Sequence, residues 1–145
     1  MRKIKFRVYD KDLKRMHICG DNRHDSMTFY SNQEAQYYNL QNGEGSGEHG
    51  SYELMQYTGI KVKHDVELYE GDIVPVQGMI HLGWKQGAYR FKGNGKVVYL
   101  ADTMRFAFIV NTEEHGYQIV CYDKGVRQQY EVIGNIYENP DLLNT

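Results

Sequence analysis

The sequence predicts a mainly β, antiparallel fold: a small SH3-like barrel or a sandwich, with a short helical and loop insertion and a C-terminal tail. Three observations point there. Val and Ile number 20, Thr 5 and aromatics 19, against 18 for Ala, Leu and Met together, a balance that suits a pleated sheet better than helices. Apolar and polar residues alternate in several short runs, the period of a half-buried strand. Those runs recur at intervals of about 10 residues, separated by glycines, and closing or stacking such a sheet hides its apolar face and its edges. A chain of 145 residues can bury one modest core, so a single β-rich domain over 1–145 is expected.

The elements follow in order. Ile4, Phe6 and Val8 alternate with Lys3, Lys5, Arg7 and Tyr9, giving a first strand with one apolar and one cationic face. Asp10 to Asp12 supply a turn, and a second strand over 14–19 completes a hairpin. Residues 20–51 are a polar insertion, strand-like only near 27–30. Ser31 and Glu34 fit a capping box ahead of two helical turns reaching Tyr38, and QNGEGSGEHGS then reads as a mobile glycine-rich surface loop. Further strands are predicted at 52–58, 72–76, 79–84, 88–92, 95–100, 105–110, 117–122 and 129–137. Pro75 cannot donate to a ladder, so its strand should be an edge or be bulged there. Asn139-Pro140 should end the sheet, with Asp141 opening a helical turn.

Composition excludes several classes. Charged residues make up 25%, mean hydropathy is −0.68, and no apolar run approaches the roughly 18 residues a membrane helix needs. The amino terminus has no secretory pattern, so a cytoplasmic protein is expected, with Cys19 and Cys121 as free, ordinarily buried thiols. No close Cys or His pair supports zinc, and neither metal nor cofactor is expected. Gly45, Gly47 and Gly50 match a dinucleotide fingerprint in letters, but no hydrophobic strand precedes them and Glu44 and Glu48 would repel a phosphate. Asp10-Lys11-Asp12 fails as a calcium loop, and Thr112-Glu113-Glu114-His115 lacks the second histidine of a zinc peptidase. With no nucleophile, base and orienting group in view, the chain leans away from being an enzyme.

Charge is uneven beneath a net of −2. Residues 1–16 hold seven cations against two acids, and residues 73–101 hold Lys85, Arg90, Lys92 and Lys96 with no acid at all. Phe6 and Tyr9 stand among Lys3, Lys5 and Arg7, while Tyr89 and Phe91 stand among Arg90 and Lys92. Ring stacking combined with phosphate neutralisation is how small β-barrels hold single strands. Lys3, Lys5, Arg7, Arg90 and Lys92 are therefore the candidate nucleic-acid contacts. The second expectation, prompted by 13 tyrosines, is docking onto another protein or self-assembly through strand edges.

Three strings carry a family resemblance: IKFRVYDKDLKRM near the start, LMQYTGIKVKHDVELYEGDIV in the middle, and YEVIGNIYENPDLL near the end. In order and spacing they resemble the YopX family of phage and prophage proteins. The resemblance implies a mobile-element protein of the bacterial cytoplasm, mostly β, with no catalytic residues to carry over, and makes the protein it would dock onto a phage or host protein. Family members often have an Asn-Gly type turn where this chain has Lys63-His64-Asp65-Val66, and a polar or basic residue at the place of Pro75. Within these strings Gly59, Gly71 and Gly134 read as sites of unusual torsion or close approach, and Tyr57, Tyr69 and Tyr137 as buried rings.

Overall fold

Strand β1 (Phe6–Asp10) turns through Asp10 into β2 (Arg15–Ile18), because the Asp10 Oδ1 accepts hydrogen bonds from the backbone N–H groups of Asp12 (2.9 Å) and Leu13 (3.0 Å). The computed structural model describes residues 3–21, 23–29, 35–39 and 52–144, so the capping box at Ser31 and Glu34 and the glycine-rich segment 41–51 lie outside the described residues. The chain packs as two compact units, residues 1–59 and 60–145.

In the first unit β1 lies between β2 and β5 (Tyr52–Lys61), antiparallel to both, and β3 (Asp25–Phe29) pairs with β4 (Ala35–Asn39). Residues 35–38 are thus strand rather than the expected helix. Period-two alternation explains it: Tyr37 is buried, stacking on His17 with ring centroids 4.9 Å apart and donating to Asp25 Oδ1 at 2.8 Å, while Tyr38 is exposed. A capping box is a local signal, and this burial outweighs it. Tyr37 covers the sheet face that carries Val8, since Val8 stands opposite His17. The other face of β1 is buried too, at Arg7 (9% exposed) and Tyr9, so the wholly cationic wet face expected there does not exist. Cys19 lies 3.3 Å from Met27 Sδ; burial pushes its thiol up to about 12, and the Asp25 and Asp21 carboxylates add to the shift.

The second unit holds β6 (Glu67–Tyr69) and a five-stranded antiparallel sheet in the order β10-β9-β8-β7-β11, made of β7 (Asp72–His81), β8 (Ala88–Leu100), β9 (Arg105–Thr112), β10 (Gly116–Cys121) and β11 (Gly134–Asn135). The protein is mainly antiparallel β, as expected, with a half-barrel sheet. Its core joins Val62, Leu68, Val74, Val76, Phe91, Val97, Phe108, Val110 and Tyr130. Burying a side chain such as Phe108 stabilises by roughly 1.5–3 kcal/mol. The Tyr130 ring packs against Phe108 and Tyr122, and burial raises its hydroxyl above the ordinary tyrosine value while that oxygen accepts from Asp123 N.

The sequence divides β7 and β8 into four strands at their glycines, yet each is continuous. A Cβ at Gly78 would lie 2.4 Å from Phe91 Cζ, and one at Gly93 2.6 Å from Val110 Cγ1. These glycines admit neighbouring side chains to the backbone inside the ladder; they do not break it. Pro75 sits beyond the Asp72 and Ile73 pairing with β11, where that side of β7 has no strand among the described residues, as its missing N–H requires. The predicted strand at 129–137 shrinks to Gly134–Asn135, because Asn135 Oδ1 accepts from Tyr137 N and Glu138 N and folds the chain over. The tail leaves as a 3₁₀ turn at Pro140–Asn144, held by Asn94 Nδ2 donating to Leu142 O at 2.7 Å. Tyr57 and Tyr69 are buried and Tyr137 half-buried.

Gly71 has φ 82°, and its N–H donates to Val97 O while Asp72 Oδ2 accepts from Tyr69 N at 2.8 Å. An L side chain at that torsion is strained. Gly71→Ala is therefore expected to cost about 1–2 kcal/mol in urea unfolding followed by circular dichroism. Cys121, contrary to the buried-thiol expectation, is exposed on β10. At pH 8 an alkylating reagent should modify Cys121 quickly and Cys19 only after the first unit opens, as peptide mass mapping would read.

Candidate functional site

The solvent face of the β7–β8 hairpin carries the most concentrated functional chemistry. Because Phe91 points into the core, its neighbours Arg90 and Lys92 must point out, where they stand opposite Met79 and Gln77. Lys96, half-buried, continues the same column opposite Ile73. Gln77, Gly78, Met79, Arg90, Phe91 and Lys92 line an open depression of about 660 Å³. None of Lys85, Arg90 and Lys92 is ion-paired among the described residues.

The hairpin tip extends this surface. Leu82 N donates to Gly87 O at 3.0 Å, and Gly83 and Gly87 have φ of 98° and 75°, closing a tight turn. That closure forces the intervening residues outward: Trp84, the one tryptophan of the chain, is 93% exposed, with Lys85 Nζ 6.0 Å from its ring centroid. An exposed ring with flanking cations can stack on a flat π-system while neutralising an anion. Strand periodicity alone assigns Trp84 no role. Its signal is a lone aromatic between Gly83 and Gly87 in a turn too short to bury it.

The five sequence candidates fare differently. Arg90 and Lys92 are exposed and adjacent on one face of the second unit. Lys3, Lys5 and Arg7 belong to the first unit, and of the three Lys3 alone is exposed. Lys5 is ion-paired with Asp21 at 3.5 Å, its side chain 16% exposed, and Arg7 is buried. Alternation by itself puts Lys5 and Arg7 in water; packing on that side of β1 does not.

Acid–base chemistry finds little to work with. Asp72 is buried and engaged with Tyr69 N, and His17 stacks on Tyr37. Among the described residues no group of three or more His, Cys, Asp or Glu gathers to hold a metal ion, and no helix is long and apolar enough to cross a membrane.

The fold and this surface define a mainly antiparallel β protein with a cationic, aromatic-tipped hairpin. It belongs to the YopX family, described as YopX protein, whose model matches residues 5–144. Among solved structures it is similar to protein EF1440 from Enterococcus faecalis, at 24% identity and TM-score 0.56, with 99% of each chain covered. It is likewise similar to protein yopX from Bacillus subtilis, at 22% identity and TM-score 0.57, covering 99% of this chain and 97% of that one. At these identities the likeness is one of fold. No curated protein matches significantly.

Exposure of the tip has a direct optical consequence. Trp84 fluorescence should show the red emission of free indole and be quenched by iodide as readily as a tryptophan-containing peptide. Blue-shifted, shielded emission would place the ring in a packed environment instead.

Proposed function

We propose that this protein is a non-catalytic nucleic-acid-binding accessory module of a phage or prophage, working in the cytoplasm of the bacterial host and contacting single strands through its β7–β8 hairpin. The observation that carries this reading is the pairing of Arg90 and Lys92 on one solvent face, without a carboxylate partner among the described residues. Trp84 and Lys85 at the tip support it, and family membership supports the mobile-element setting. Phosphates would lie along Lys92, Arg90 and Lys85, and a base would stack on Trp84, an interaction worth about 1–3 kcal/mol. Lys3 is a further exposed cation in the first unit, whereas Lys5 and Arg7 are committed to packing.

Single-stranded oligonucleotides titrated at low salt, with anisotropy as readout, test the reading. Neutralising three or four phosphates gives a slope of log affinity against log salt of about −2 to −3. The double reversal Arg90→Glu/Lys92→Glu should weaken binding at least tenfold, and Trp84→Ala by about fivefold or more without changing the salt slope. Absence of binding at low salt, or a double reversal that binds like the parent, would sink the proposal.

A further inference from the structure

We infer that the cavity between β7, β10 and the 3₁₀ helix at Lys124–Gln129 is a reading pocket for one guanine base of the bound single strand, with Asp123 as its recognition residue. This rests on the single-strand reading above and deepens it. Where the flank of β7 at Pro75 carries no ladder, a cavity of about 520 Å³ opens instead, walled by residues 75–77 on one side and by Val120 and Cys121 of β10 on the other. The 3₁₀ helix and Tyr130 complete the wall. That volume falls within the range of small-ligand sites, about 300–1,000 Å³. The cavity also adjoins the cationic depression, because Gln77 and Lys92 line both. A strand whose phosphates follow Arg90 and Lys92 therefore passes its mouth.

The lining selects the occupant. Val76 and Tyr130 are each 7% exposed, and with half-buried Val120 and Val126 they offer apolar surface to the faces of a flat ring. Asp123 is the one carboxylate among the described residues of the lining, and it repels phosphate, so the uncharged bases of the strand fit here and its backbone does not. Asp123 Oδ1 accepts from Gly125 N at 2.8 Å, which fixes the carboxylate at the start of the 3₁₀ helix, and an ionised carboxylate keeps acceptor capacity beyond that one bond. Adjacent N–H donors are what such a group binds best. Among the bases guanine alone carries two side by side, at N1 and N2. Adenine and cytosine offer one amino group next to a ring lone pair, and thymine sets its N3–H between two carbonyls. The amides of Gln77 and Gln129 can complete the contacts to the base edge. An arginine guanidinium also has paired donors, but Lys92 in the same lining opposes a second cation.

Anisotropy titrations of the full chain at low salt compare a short oligothymidylate with the same strand carrying one central guanine. The guanine strand should bind about fivefold tighter or more. Inosine at that place, which lacks the 2-amino donor, should lose most of the gain. Asp123→Asn keeps an oxygen to accept from Gly125 N yet loses the charge, and should bring the guanine and thymine strands within about twofold of each other. A readout that needs no variant locates the base: saturating guanine strand should slow alkylation of Cys121, which lines the pocket, by about fivefold or more. Equal affinity for the two strands, inosine binding like guanine, a preference that survives Asp123→Asn, or Cys121 alkylated in the complex at its free rate overturns this inference and leaves single-strand binding in place. Failure of every strand to bind at low salt overturns both.

Discussion

The second unit depends on the close approach of bulky side chains to bare backbone along the β7–β8 ladder. Phe91 lies over Gly78, Val110 reaches Gly93, and Phe108 meets Gly95 with 3.0 Å between its Cβ and the place a glycine Cβ would occupy. A sheet packs at interior density only if each inward bulge meets a hollow, and glycine within a strand is the deepest hollow available. Once Phe91 is seated, period-two geometry leaves Arg90 and Lys92 no choice but the opposite face. Core and surface chemistry are thus two readouts of one register.

Three short polar side chains set where the chain turns. Asp10 Oδ1 ties down the start of β2, Asp72 Oδ2 holds Tyr69 N ahead of β7, and Asn135 Oδ1 gathers Tyr137 N and Glu138 N after β11. Each carboxylate or amide is buried, so it satisfies backbone donors that would otherwise be left without water or partner. This explains why the strings that resemble the family, such as Tyr69-Glu70-Gly71-Asp72 and Gly134-Asn135, are scaffold: they specify turns. At Lys63-His64-Asp65 the chain reaches a comparable tight turn with His64 and Asp65 at φ of 61° and 59°, torsions an Asn-Gly pair adopts more cheaply. Gly134 is required for space, since a Cβ there would lie 2.5 Å from Asn139 Oδ1.

Much of the architecture was legible because its signals are local. Alternation located β1, β2, β5, β9 and β10, Pro75 marked an open flank, and Asn139-Pro140 marked the departure of the tail. What misled was a local signal with a non-local explanation. Gly93 and Gly95 looked like punctuation because a strand-breaking glycine and a glycine beneath a phenylalanine are the same letter. The segment before Tyr38 looked helical because the ring that holds Tyr37 in a strand, His17, lies 20 residues away in the chain. Lys5 and Arg7 looked wet because alternation names a face without saying what packs on it.

The sequence by itself therefore determined the antiparallel β class, the turn chemistry at Asp10, Gly71 and Asn135, and the acid-free stretch from 73 to 101, all of which depend on residue type and short spacing. Only tertiary structure decided which cations remain in solvent and that Trp84 crowns a hairpin tip. Exposure is a property of what surrounds a residue, and those surroundings are assembled by contacts between segments far apart along the chain.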